Sequence, residues 1–77
     1  MNKFAIYVNE TFEEEKALYD LEKKDVVLKG DYYHDKIDYV IEGYLLALKI
    51  NLDEVDDIRI DSEHPLFKEF EFYNDED

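Results

Sequence analysis

The sequence predicts an α+β fold: a small, mostly antiparallel sheet in βββαβ order, covered by one long helix and followed by a short C-terminal appendage. Three observations carry that prediction. Residues 4–8 alternate with apolar side chains on both faces, "KALYDLEKKDVVLKGD" reads as a hairpin, and residues 31–51 carry a helical apolar stripe. With 77 residues the chain is a single small domain, expected over 1–73, with 74–77 as a frayed acidic tail. It has no cysteine, so neither a disulfide nor a Cys-based zinc site can brace it, and twelve Phe and Tyr rings must fill the core.

In the first strand Phe4, Ile6 and Val8 share one face and Ala5 and Tyr7 the other, the pattern of an inner strand covered on both sides. Glu10–Glu15, with Phe12 as its one apolar residue, is a loop. In the hairpin Ala17, Tyr19 and Leu21 share a face, Val26 and Leu28 share a face of the returning strand, and Glu22–Asp25 is the turn. A helix over 13–24 competes on propensity, but the β-branched run at 26–27 and Gly30 favour the hairpin.

For the helix, Tyr33, Ile37, Val40, Ile41, Tyr44, Leu45 and Leu48 fall in one arc at 100° per residue. Asp31 is the expected N-cap, Asp35 adds negative charge to the first turn, and Lys49 and Asn51 suit the C-terminal end. Asp57–Asp61 alternates as a last strand with Ile58 and Ile60 inward. Ser62–Pro65 breaks it, and 66–73 packs back on the body, with Pro65 starting a helical turn after a cap at Glu63 or His64.

Charge sets the function classes. Acids outnumber bases 22 to 9 for a net charge of −13, and residues 51–77 hold 11 of the acids against 2 bases. Such a field repels nucleic acid and anionic membranes and favours basic proteins. No long apolar run or signal segment is evident, so a cytoplasmic location is expected. Enzymatic motifs fail one by one. His34 and Asp38 stand four apart on the helix, but two ligands are too few for a metal site. Ser62-Glu63-His64 has triad letters without triad spacing, and the acids lack the glycine and alternation of a calcium loop. No catalytic residue, metal or cofactor is expected.

The back of the helix is more informative. Asp35, Tyr39, Glu42 and Leu46 lie opposite the core arc, with Asp38 at their flank; Tyr39 and Leu46 are apolar anchors among acids. Two readings compete: a surface for a partner, or a face covered by 66–73. The carboxylates of Asp35, Asp38 and Glu42 recur once per turn, about 5 Å apart, and would imitate phosphate spacing.

"GDYYHDKI" at 30–37, the Glu42-Gly43 pair and the aromatic-acidic ending resemble small, mostly uncharacterised proteins of phages and prophages of Gram-positive bacteria. The resemblance covers some 60 residues and implies no activity or functional residue. It implies a setting in which small acidic proteins bind a host protein. The expected function is therefore a non-enzymatic binding protein that contacts a basic host protein through Asp35, Asp38, Tyr39, Glu42 and Leu46, as an inhibitor or DNA mimic. It would be a monomer or weak homodimer; a structural homo-oligomer using the same stripe is the alternative.

Overall fold

A computed structural model describes residues 3–74. The strand with two apolar faces, β1 (Phe4–Asn9), lies inside the sheet and is buried along its whole length. It pairs antiparallel with β2 (Glu15–Asp20), which pairs antiparallel with β3 (Asp25–Asp31). The last strand, β4 (Asp56–Ile60), lies on the other side of β1 and runs parallel to it, giving the order β3-β2-β1-β4. The sheet is thus mixed: two of its three strand pairs are antiparallel, as expected, and the β1–β4 pair is parallel. The helix α1 (Ile37–Ala47) carries the chain from one edge of the sheet to the other, and β4 enters in the direction of β1.

Two apolar layers sandwich the sheet. Phe4, Ile6, Val8 and Leu18 meet Ile37, Ile41 and Leu45 of α1. On the opposite face Tyr7 and Tyr19 meet Phe67, Phe70 and Phe72 of the C-terminal segment. Phe70 stacks at 5.2 Å on Tyr7 and edge-on at 6.0 Å against Tyr19. That segment is an integral layer, built from successive turns rather than a helix. Asp61 accepts the Glu63 N–H, and His64 Nδ1 accepts the Leu66 N–H just past Pro65.

Burial pushes the Tyr19 phenol above its ordinary value of 10.0. Asn9, 1% exposed, stitches the layer to the sheet: its Nδ2 donates to Glu15 Oε1 at 2.8 Å and to the Tyr73 carbonyl at 3.0 Å. The Tyr73 N–H donates to the same Glu15 oxygen at 2.7 Å. Of the expected frayed tail, residues 75–77 lie outside the described residues.

The helix is shorter than expected, 11 residues, and starts six residues after Asp31. Asp31 does cap, but it caps an isolated turn: its carboxylate accepts the His34 N–H at 2.5 Å. Asp35 reciprocates by accepting the Asp31 N–H at 2.9 Å. Lys36 then adopts a left-handed conformation (φ 52°), which separates this turn from the helix. The C-terminus departs from the expected pattern, with no basic residue in the last turn of α1. Lys49 takes the left-handed position (φ 62°), and the Ile50 N–H closes on the Leu45 carbonyl at 2.9 Å. Asn51 caps the following 3₁₀ turn (Leu52–Glu54) rather than α1.

Three burial expectations change accordingly. The helical core stripe is Ile37, Ile41 and Leu45 alone; Val40, Tyr44 and Leu48 stay partly exposed, and Tyr33, 68% exposed, precedes the helix. In the hairpin a bulge opposite Leu18 and Tyr19 sends Val26 to the C-terminal layer and Leu28 to the helix layer, so the two do not share a face. Leu21 lies in the turn and is exposed. At the sheet edge, Ile60 is buried while Ile58 keeps more than a third of its surface.

Candidate functional site

The outer face of α1 is uncovered, because the C-terminal segment packs on the other side of the sheet. Tyr39 and Leu46 are 61% and 63% exposed, and Glu42 is exposed between them. Tyr39 is not a free-standing ring. Tyr32 lies 6.1 Å from it and stacks edge-on against Tyr33 at 5.4 Å, while the Lys36 ammonium sits 6.0 Å over the Tyr32 ring. A side-chain hydrogen bond with Tyr32 raises the Tyr39 phenol above its ordinary value of 10.0. Tyr39 therefore presents a braced aromatic surface, which lowers the ordering cost of binding.

Gly43 occupies the notch between these anchors, four residues after Tyr39 and three before Leu46. A Cβ there would meet nothing within 4 Å. Glycine inside a helix costs about 1 kcal/mol relative to alanine, and no contact within the described chain requires it here. This was the signal available in the sequence: a glycine in mid-helix on the outward line between two apolar side chains.

The carboxylates divide differently from the expected row. Glu42 projects from the helix. Asp38 turns toward the sheet and pairs with Lys16 of β2 at 2.7 Å through Oδ2. Its Oδ1 is buried with no hydrogen-bond partner. Asp35 precedes the helix, and its carboxylate closes on Gly30 and the Asp31 N–H. A Cβ on Gly30 would come within 2.6–2.8 Å of the Asp35 side chain, so the close approach needs a glycine. Of the five expected site residues, Tyr39, Glu42 and Leu46 share the outer face, Asp38 forms its border, and Asp35 is drawn away.

Beside that border lies a groove of about 420 Å³ between α1, the 3₁₀ turn and the start of β4. Its apolar lining is Ile6, Ile41, Leu52 and Val55. Among the described residues, the polar lining is Lys16, Asp38, Asp53, Asp56 and Asp57. Sequence reading missed it, since its residues come from four separate stretches, at 6, 16, 38–41 and 52–57. A second recess, of about 290 Å³, lies across the Lys16–Asp38 pair and is walled by Tyr32, Tyr33, Glu13 and Glu14.

The histidines stand apart from this surface. His34 Nδ1 lies 3.0 Å from Asp31 Oδ2; that partner raises the imidazole above 6.5, while the His34 N–H and ring hold Asp31 below 3.8. His64 packs at 5.8 Å on Tyr7 in the C-terminal layer. Among the described residues no group of three or more His, Asp or Glu is placed to hold a metal ion, and no helix is long and apolar enough to cross a membrane. No protein-family model, curated protein or solved structure matches the chain.

Proposed function

We propose that this protein is a non-enzymatic binding module that attaches to a basic protein surface through the outer face of α1, with Tyr39 and Leu46 as anchors and Glu42 and Asp38 as flanking charges. One observation carries the reading: the Tyr39–Gly43–Leu46 line is exposed, braced by Tyr32, and has a helix-weakening glycine at its centre that no contact among the described residues requires. Aromatic and aliphatic anchors in such a setting are the usual carriers of binding energy. The net charge of −13 selects a basic partner. It also disfavours self-association, since a two-fold contact would bring two such charges together.

The resemblance to phage and prophage proteins supplies the setting of this proposal, a host protein in the cytoplasm. Imitation of DNA is the weaker form of it. That form leans on a regular row of carboxylates, and Asp38 and Asp35 are engaged elsewhere.

Affinity capture from host lysate with the parent chain and with Tyr39→Ala/Leu46→Ala tests the proposal. A captured protein that the double variant loses, and that high salt weakens, is the expected result. Equal capture by the double variant overturns it. Sedimentation of the purified chain addresses the homo-oligomer: a monomer at all concentrations rejects it.

A further inference from the structure

We infer that the outer edge of β4 is a docking site for an extended, basic segment of a protein partner, which joins the sheet as an added strand. This goes beyond the proposed function: α1 packs over β2 and β3, so the β4 edge is a second surface, separate from Tyr39 and Leu46. The backbone carries the inference. The Glu10 N–H donates to the Ile60 carbonyl at 2.8 Å, and Ile60 is in register with Asn9. Successive residues of a strand turn their N–H and C=O groups to opposite edges. Ile58 and Ile60 therefore bond β1, and Asp57 and Arg59 turn their backbone groups outward. β4 ends the strand order, and 56–59 are exposed. Such an edge is a template for a further strand. The opposite edge is less suited. β3 carries the bulge, with Val27 as its extra residue, and Lys29 ties it to Glu71 of the C-terminal segment at 2.5 Å. β4 runs in unbroken register from Asp56 to Ile60.

Charge selects the occupant. Between residues 53 and 61 acids outnumber bases five to one, and that base, Arg59, is held by Glu13 in the loop after β1. An acidic edge repels a second copy of itself and attracts a basic strand. Asp57 lies beside Ile6 on the helix side of the sheet. Ile58 lies beside Tyr7 on the aromatic side, where it remains exposed. The segment that fits is therefore extended and alternating, with basic residues on the Asp57 side and apolar residues on the Ile58 side.

The test uses the full chain and a defined probe, acetyl-Lys-Val-Lys-Val-Lys-amide, at constant ionic strength. In the free protein the Asp57 and Arg59 amides should exchange with solvent faster than those of Ile58 and Ile60. Saturating peptide should slow the Asp57 and Arg59 amides by at least about tenfold. Two N-methylated peptides decide the binding mode. Methylating the lysine nitrogens and methylating the valine nitrogens remove donors from opposite edges of the added strand, so one peptide should bind at least about tenfold more weakly than the other. The glutamate counterpart, acetyl-Glu-Val-Glu-Val-Glu-amide, should not bind. Asp57→Pro removes an outward N–H and no bond to β1, and should lose the peptide while keeping the parent circular dichroism. If that variant does not fold, the methylated pair still decides. Equal affinity of the two methylated peptides overturns the inference. So does binding of the glutamate peptide, or protection of the Asp57 and Arg59 amides by self-association before any peptide is added. Tyr39→Ala/Leu46→Ala should bind the peptide as the parent does, so this inference and the proposed function fail separately.

Discussion

Replacing Asn9 tests how firmly the C-terminal layer is locked to the sheet. Asn9 is buried at the end of β1. It donates to the Glu15 carboxylate and the Tyr73 carbonyl, and accepts the Thr11 N–H at 3.0 Å. Asn9→Leu keeps a side chain of similar size and removes all three bonds. A hydrogen bond to a charged group contributes about 1.5–3 kcal/mol and a neutral one about 0.5–1.5. Glu15 and Tyr73 are partly accessible to water, which can replace some of what is lost, so the low end applies: about 2.5 kcal/mol. In a domain of this size that lowers the melting temperature by about 10–20 °C. Thermal unfolding followed by circular dichroism reads the shift directly. Hydrogen exchange supplies the local readout, because the Tyr73 amide should exchange faster by a larger factor than the amides of β1 and β2. A variant melting within about 4 °C of the parent would refute the reasoning, as would a uniform rise in exchange at all sites.

Other outcomes follow from the same structure. Phe70→Ala leaves a cavity against Tyr7, Tyr19 and Phe72 and should cost about 3–5 kcal/mol by chemical denaturation, enough to unfold much of the population. The two glycines should respond in opposite directions in the same assay. Gly30→Ala drives a Cβ into the Asp35 side chain and destabilises by about 1–3 kcal/mol, whereas Gly43→Ala meets open space and stabilises by about 1 kcal/mol. If the notch serves a partner, Gly43→Ala also weakens capture while it raises the melting temperature.

For pH, His34 has a raised value, so its contribution is complete below about 6.5 and lost as pH rises through the folded value. Asp31 has a lowered value, so its contribution is complete above about 3.8 and lost as pH falls through the folded value. The turn at 31–35 is therefore best held between those limits. The His34 ring resonance should titrate above 6.5 in the parent and move back toward it in Asp31→Asn.

What the sequence revealed depended on whether a signal was periodic or pairwise. Alternation in 4–8 announced a strand with two buried faces, and the hairpin followed from two short runs around a polar turn. The outward line of Tyr39 and Leu46 was visible on the helical wheel. The helix start was not. Asp31 caps a turn equally well whether or not a helix follows, and the break rests on a left-handed lysine at 36, where glycine or asparagine would have been the usual marker. Nor could alternation in β4 show its direction, because periodicity says which side chains face inward and nothing about which strand lies alongside. The bulge in β3 shifted one face by a residue for the same reason. The groove was hidden most completely, since Lys16, Asp38 and Val55 meet only after the crossover has closed.

The aromatic layer has a consequence for synthesis. Tyr7, Ala17 and Tyr19 form an apolar sheet face early in the chain, but the rings that cover it arrive at 67, 70 and 72. Until the chain as far as Tyr73 has left the ribosome, that face has no cover and Asn9 lacks the Tyr73 carbonyl it donates to. The β1–β2 hairpin thus emerges as a sticky, half-finished surface whose protection lies more than 60 residues downstream of Asn9. The 22 acids, spread through both halves of the chain, would keep such intermediates apart by mutual repulsion while they wait. In that light the charge that suits a basic partner also serves the protein before it is folded.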